Sequence, residues 1–546
     1  MQNIQKLRVV IVGAGEVGMN VAMKLSDHEE VEVTLIEANE ERSALMKNNV
    51  NCRHIKGSGL NPTSLREAEV DRCDLFYAMT DADEVNLLSC QLAQEMILKS
   101  RLTESSEDEG ESRGPHSDPK DLEGVKPQLT PCPPLGENHR KSSIVSNSEN
   151  GETYLYARVR SEELYEYIQP LFPQVNVIFP ERTCSKKIDE LLHFQQVFDV
   201  VELEAGRLKL YGIKIHSNSS AVGQSLQNFT SDHKITIAAI ARRTEVRRRS
   251  SRVLMIPWAE YEMEANDEIY FAASPKTLSL IHHIFASKDE DDSLSSLVIA
   301  GDTAVSNGVF QRFVNRSKKR QDHEELDIHF EGLRREFAMI VNSAELAEEI
   351  ERTDPHGHAV VVAGSITDID HLAKIGVGPK STLLVSSTDE ENLICALLAR
   401  DLGCERILIV NNREQYADLI HQLGFDGIFS PRQLAVNEMV HQALKRLSKS
   451  AFDVSGSDDV EVRSFVVDKD SALCGLELKD LKSVGFPRKY AVIAALKNAL
   501  THSHTMPTGS DVLEEDSVAY IVAKSADFHK INAIFGRRKS RFRLWR

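Results

Sequence analysis

Gly13, Gly15 and Gly18 stand at G-x-G-x-x-G spacing in Gly13-Ala14-Gly15-Glu16-Val17-Gly18, directly after the apolar run Leu7 to Val12. Glycines so placed do a job that larger residues cannot. Gly13 permits a tight turn, Gly15 lets the backbone approach a pyrophosphate, and Gly18 allows a helix to lie close on a strand. A helix starting there, patterned by Val21, Ala22 and Leu25, offers phosphate its free N–H groups and positive dipole end. Glu37 closes the next β-type run, VEVTLIE (31–37). It lies about 20 residues past the glycines, where a carboxylate accepts from both hydroxyls of an adenosine ribose. That carboxylate repels a 2′-phosphate, so NAD(H) is favoured over NADP(H), while ATP or ADP would suit it equally. The other reading of the glycines is that they serve packing alone.

Further polar residues fall where a parallel sheet places its ligand crevice, at the carboxyl ends of strands. A third strand leads to Gly57-Ser58-Gly59. A fourth, Cys73 to Met79, ends in Thr80-Asp81-Ala82-Asp83-Glu84-Val85-Asn86. Thr80 is expected to hydrogen-bond a dinucleotide. Asp83, Glu84 and Asn86 either face the same ligand or cap the following helix.

The elements that must position these residues alternate strand and helix, which predicts a parallel α/β sheet. The helix after Asn86 is expected to end near Leu98. Beyond it, residues 103–150 turn polar and Pro/Ser-rich and are expected to be disordered. The chain then repeats itself. DADEVNLLSCQLAQ (81–94) matches STDEENLICALLAR (387–400), an offset of 306 residues (86 to 392). YLYARVRSEELYEYI (154–168) matches RILIVNNREQYADLI (406–420), an offset of 252 (154 to 406). The fall in offset places an insertion in the first lobe that the second lacks. Short alternating strands at 197–273 and 461–523 add a small unit after each lobe, with Gly223 and Gly475 also 252 apart.

The expected fold is therefore α/β, two Rossmann-like parallel-sheet lobes in tandem, each followed by a small α+β lobe. The first lobe is assigned to 1–190, interrupted by the insertion at about 100–152, and the first small lobe to 191–288. The second lobe takes 294–450, the second small lobe 451–535, and a basic tail 536–546.

In the second lobe Gly301 opens the turn, but Thr303 and Ser306 occupy the later glycine positions. A Cβ at 303 obstructs a pyrophosphate. The following strand ends near Asn342 rather than in an acid, unless Gly308 shifts the motif. This lobe reads as a repeat that has lost its site.

Composition narrows the function. The 546 residues carry a formal net charge of -18, which argues against nucleic acid as a partner. No apolar run reaches the ~18 residues of a membrane span, and no leader pattern precedes the first strand. The eight cysteines lack C-x-x-C spacing and read as packed, reduced thiols of a cytosolic protein. No metal-ligating pattern is present. His193 and His216, the nearest histidines to a catalytic role, sit in apolar strand-like runs.

Together these features resemble the TrkA family, the cytosolic NAD-binding regulators of Trk-type potassium uptake built from paired regulator-of-K⁺-conductance (RCK) domains. The carriers are GAGEVG (13–18), Glu37, SLREAEVDRCDLFYAMTDADEVN (64–86), ARVRSEEL (157–164), the repeat and the small units. The resemblance covers nearly all of the chain outside 100–152. It implies a dinucleotide held by Gly13 to Gly18, Glu37, Thr80-Asp81 and Arg158, the last a contact to phosphate or carboxamide. It also implies a non-catalytic, cytoplasmic subunit, peripheral on the inner face of a membrane, homo-oligomeric and partnered by a membrane-embedded potassium transporter. The chain departs from the family in its long insertion, its degraded second site and the tail GRRKSRFRLWR (536–546), which suits an anionic surface. Arg242-Arg243 and Arg247 to Arg249, beside Ser250 and Ser251, are expected in a hairpin loop. The competing readings are an ATP/ADP-sensing regulator of a cation channel or antiporter and, behind it, an NAD-dependent oxidoreductase, for which the small units offer little room for a general acid or base.

Overall fold

A computed structural model describes residues 6–110 and 153–536, except 193–196, 205–207, 234, 247–248, 259, 275–276, 279–283, 286–295, 323–335, 355–356, 358, 447–450, 454–459, 488–489 and 502. Four sheets follow one another along the chain. The first contains β1 (Leu7–Val12), β2 (Val31–Glu37), β3 (Arg53–Lys56), β4 (Leu75–Ala78), β5 (Tyr154–Arg158) and β6 (Val175–Ile178). Its helices are α1 (Glu16–Ser26), α2 (Glu40–Asn49), α3 (Pro62–Glu67), α4 (Asp83–Gly110), α5 (Glu162–Leu171) and α6 (Pro180–Leu192). All pairs are parallel, in the order β3-β2-β1-β4-β5-β6. The order reverses between β1 and β4, where such sheets open a ligand crevice. Strands covered on both faces must be apolar throughout, and Val9, Ile11, Leu75, Phe76 and Tyr77 are fully buried.

The second sheet is antiparallel: β7 (Val197–Glu204), β8 (Leu208–Lys214), β9 (Ile237–Val246), β10 (Arg249–Met255) and β11 (Glu268–Ala273), with α7 (Leu226–His233) between β8 and β9. The third repeats the first in the order β14-β13-β12-β15-β16-β17. Its strands are β12 (Ser296–Ala300), β13 (Glu336–Val341), β14 (Val360–Ala363), β15 (Ser381–Val385), β16 (Arg406–Val410) and β17 (Gly427–Phe429). Its helices are α8 (Ala304–Asp322), α9 (Ala344–Thr353), α10 (Ile369–Lys374), α11 (Asp389–Asp401), α12 (Glu414–Leu423) and α13 (Pro431–Arg446). The fourth sheet holds β18 (Ala451–Asp453), β19 (Val460–Val466), β20 (Ala491–Lys497), β21 (His504–Thr505) and β22 (Val518–Lys524), followed by α14 (Phe528–Phe535).

These elements form two compact units that do not follow chain order. The first comprises residues 1–180 with 432–447; the second comprises 181–431 with 448–546. The exchanged pieces are α6 and α13, the last helix after each parallel sheet. Each opens on a proline, whose fixed φ and missing N–H suit a first helical position. In the first unit, α13 buries Ala435, Val436, Met439, Val440, Ala443 and Leu444, a stripe at helical spacing. The Tyr77 hydroxyl donates to the Met439 carbonyl (2.9 Å), and Arg446 stacks over the Tyr154 ring (4.4 Å). In the second unit, α6 lies on α8. Gly308 makes room for Ser185, and Arg316 pairs with Asp189. The second unit also buries Leu210, Tyr270 and Ala272 of the second sheet in one core with Val462, Ala494 and Val522 of the fourth.

Two sequence expectations change. The helix after Asn86 continues to Gly110 instead of ending near Leu98, because Glu- and Ser-rich residues extend a nucleated helix at little cost. The rest of the 100–152 insertion, residues 111–152, lies outside the described residues. Arg242 and Arg243 lie within β9, not in a loop, and Arg242 pairs with Asp267 (2.8 Å) and Glu264 (2.5 Å). Arg247 and Arg248, His193, Cys132 and residues 537–546 of the tail lie outside the described residues. The seven described cysteines are free thiols. His216 follows β8, where its Nδ1 accepts from the Asn218 N–H (3.1 Å).

Candidate dinucleotide site

The turn after β1 is built around two close approaches. Gly13 has φ +97° and its N–H donates to the Ile36 carbonyl (2.9 Å). A Cβ there would meet Thr80 Cγ2 at 2.8 Å. A Cβ on Gly18 would come 2.0 Å from the Gly13 carbonyl oxygen. Gly15 differs: it sits in ordinary extended backbone before α1, and a Cβ there would find only Asp81 Oδ2, at 4.0 Å. Gly13 and Gly18 are therefore required by the protein itself, while the space beside Gly15 is left open by it. Val17 and Gly18 are buried at the start of α1.

Glu37, at the end of β2, is 7% exposed. Its Oε2 accepts from the Ala14 N–H (2.6 Å) and its Oε1 from the Asn39 N–H (2.7 Å). Each oxygen keeps acceptor capacity for a hydroxyl. At the end of β4, the Thr80 hydroxyl donates to Asn86 Oδ1 (2.7 Å) and its methyl group lies under Gly13. Arg158 ends β5 almost fully buried, its Nη1 3.6 Å from the exposed Asp81 carboxylate. Glu16 pairs with Arg432 of α13. The ten expected residues thus gather at the carboxyl edge of β1, β2, β4 and β5.

Asp83 and Asn86 resolve as struts. Asp83 accepts from the N–H groups of Arg160 (3.0 Å) and Ser161 (3.1 Å). Asn86, fully buried, accepts from the Thr80 N–H (2.8 Å) and donates to the carbonyls of Thr80 (3.0 Å) and Arg158 (2.8 Å). It locks the loops after β4 and β5 together. Glu84 is exposed. Arg432 had no local sequence signal, being more than 400 positions from the turn it meets.

The third sheet settles the register of the repeat. Gly301 has φ +115° and donates to the Ile340 carbonyl (3.0 Å), as Gly13 does to Ile36. Gly308 is inside α8 and does not re-phase the turn. Thr303 and Ser306 take the places of Gly15 and Gly18, and Thr303 hydrogen-bonds Ser386 across the mouth of the turn. The position matching Glu37 is Val341, not Asn342: Gly57 donates to the Glu37 carbonyl and Gly364 to that of Val341. The position matching Arg158 is Val410, whose carbonyl receives Asn392 Nδ2 (2.7 Å). Hydroxyls and valines thus stand where the first lobe has open space, acid and guanidinium.

Among the described residues no cluster of three or more His, Cys, Asp or Glu could hold a metal ion, and no helix is long and apolar enough to cross a membrane.

Residues 9–112 and 330–431 match the TrkA-N domain, and residues 462–536 match the TrkA-C domain. The second TrkA-N match begins after the Gly301 turn. The Trk system potassium uptake protein TrkA homolog 1 of Methanosarcina mazei is 21% identical over 530 residues, covering 97% of this chain and all of that protein. The Trk system potassium uptake protein TrkA of Azorhizobium caulinodans is 23% identical over 540 residues, covering 97% of this chain and 98% of its own. The crystal structure of the GsuK RCK domain superposes with a TM-score of 0.50 at 13% identity, covering 98% of this chain and 96% of that one. A structure described as the GsuK channel bound to NAD also superposes at 0.50, with 13% identity, covering 98% of this chain and 80% of that one. With paired TrkA-N segments, a TrkA-C domain and two parallel sheets of one topology, the chain belongs to the TrkA family of tandem RCK-domain proteins.

Proposed function

We propose that the first lobe binds NAD(H) and that this binding regulates a membrane-embedded potassium transporter of Trk type, without catalysis by the chain itself. One observation carries the nucleotide reading. The protein leaves the space beside Gly15 open, and the end of the next strand holds a buried carboxylate, Glu37, on two backbone N–H groups, one of them that of Ala14 in the same turn. The α1 N-terminus receives the pyrophosphate, Glu37 the adenosine ribose, and Thr80, Asp81 and Arg158 the far half of the ligand. NAD(H) would supply no hydride chemistry here. It favours one arrangement of the lobes, and it shifts a gate only by its differential affinity for two arrangements. The transport role is supported by the names of the relatives, which are potassium uptake proteins over the full length of the chain.

We place the chain at the cytoplasmic face of a membrane on the relatives' names, as a homo-oligomer, and the surface suits self-association. Leu88 of α4 and Tyr167 and Leu171 of α5 are exposed. Ile394 of α11 and Leu419 of α12 are exposed at the same repeat offsets. Apolar residues repeated on matching helices suit pairing between copies.

Calorimetric titration with NADH, NAD⁺, NADPH and ATP tests the ligand, alongside Gly15→Asp and Glu37→Ala. NAD(H) binding lost in both variants supports the reading. A preference for ATP or ADP replaces the cofactor and keeps the regulator. No binding of any nucleotide removes the sensor.

A further inference from the structure

Glu16 is an awkward residue for an anion site. It is the first residue of α1, so its carboxylate stands beside the N–H groups and dipole end that a pyrophosphate would use. An acid there favours the helix but competes with a bound anion. The protein meets that charge with Arg432, whose guanidinium pairs with Glu16 Oε2. The two side chains are 40% and 36% exposed, so the pair is not locked in the core.

Arg432 is the second residue of α13, and α13 is anchored on the first lobe. Its apolar stripe is buried there, Tyr77 donates to Met439, and the Tyr156 hydroxyl reaches Gln442 (3.4 Å). Lys24, in the last turn of α1, donates to Asn437 (3.4 Å). The guanidinium is thus brought to the glycine turn by helix packing, and α13 follows β17 of the third sheet within two residues.

We propose that Arg432 is a positioning residue of the nucleotide site. By neutralising Glu16 it keeps the phosphate end of the turn receptive to an anion, so dinucleotide affinity in the first lobe depends on the seating of α13. The coupling is reciprocal: bound nucleotide favours the seated helix by the same factor. The inference rests on the nucleotide reading above. It adds to that reading a contact through which the chain after the second parallel sheet enters the first lobe's site.

The test is NADH titration of the wild type, Arg432→Ala, Glu16→Gln and the double variant, with thermal melting of each. Arg432→Ala is expected to weaken binding about fivefold, less at high salt, since the pair is exposed. Glu16→Gln should bind at least as tightly as wild type. The double variant should return to within about twofold of wild type, because no charge is left to neutralise; a purely structural arginine would give no such rescue. Arg432→Gln replaces the alanine variant if that one does not fold. Unchanged binding in Arg432→Ala overturns the proposal, as does a double variant as weak as the single. If Gly15→Asp abolishes binding while Arg432→Ala does not alter it, only this inference falls. If the wild type binds no nucleotide, the reading beneath it falls too.

Discussion

The Glu37 carboxylate bridges two turns, taking the Ala14 N–H on Oε2 at 2.6 Å and the Asn39 N–H on Oε1 at 2.7 Å. One side chain therefore shapes the glycine turn and presents the acceptor for a ribose. Glu37→Gln keeps the volume but turns one acceptor into an NH₂ group facing an N–H donor. Stability should fall by about 1–3 kcal/mol, the cost of a buried unsatisfied group. NADH affinity should fall by more than about tenfold, two hydroxyl contacts being weakened. Calorimetry at full saturation of folded protein separates the two effects; an unchanged affinity removes Glu37 from the site.

The glycines should separate folding from binding. Gly15→Ala meets open space and an allowed backbone, so its melting temperature should lie within a few degrees of wild type while NADH binding weakens. Gly18→Ala forces a Cβ to 2.0 Å from the Gly13 carbonyl oxygen and should be among the destabilising variants, by more than about 3 kcal/mol. Equal melting of the two variants would contradict this division.

Asn86 and Asn392 occupy equivalent places and make equivalent bonds. Asn392 accepts from the Ser387 N–H (2.7 Å) and donates to the Ser387 (3.2 Å) and Val410 (2.7 Å) carbonyls. Alanine at either position removes the partner of three backbone groups, one buried and two part-buried, and should cost roughly 2–4 kcal/mol. Only Asn86→Ala should also reduce nucleotide affinity, because only the first lobe retains the acid and the guanidinium. Comparable loss of affinity in Asn392→Ala would show that the second lobe takes part in binding.

The second lobe should stay silent even when its turn is reopened. Thr303→Gly removes the side chain that closes the turn with Ser386, yet Val341 and Val410 still stand at the acid and guanidinium positions. Titration should give one site per chain in both wild type and variant. Two sites in either would reverse the assignment.

Burial pushes the His441 imidazole down to about 4, with Lys445 adding to the effect. This histidine belongs to α13 in the first unit. Its folded value lies below its unfolded one, so the neutral form's contribution is full above about pH 6.5. It is lost as pH falls toward 4, where the unfolded chain binds the extra proton. The loss is roughly 3 kcal/mol at most. Urea unfolding at pH 7.5 and 4.5 should show it, and His441→Gln should flatten the difference. An unaltered pH slope in the variant would exclude His441 as the cause.

The local chemistry was legible because it is written in short range. The spacing of Gly13, Gly15, Gly18 and Glu37 needs one strand, one turn and one helix to bring it together, and the two repeat offsets located the insertion. The limits of local pattern show in the same places. Asn342 looked like the end of its strand, but ladder register assigns the acid's place to Val341, and register depends on the neighbouring strand. The helix from Asp83 ran past its apolar stripe because propagation needs no packing once a helix has started.

By itself, then, the sequence determined the four sheets in tandem, the intact first turn and the closed second one, since periodicity and side-chain volume act within a few residues. Tertiary structure alone decided that α6 joins the second unit and α13 the first, and that Arg432 meets Glu16. An apolar stripe on a helix declares that it must be covered. Which surface covers it depends on shape and volume contributed from distant parts of the chain, and no spacing within the helix encodes that.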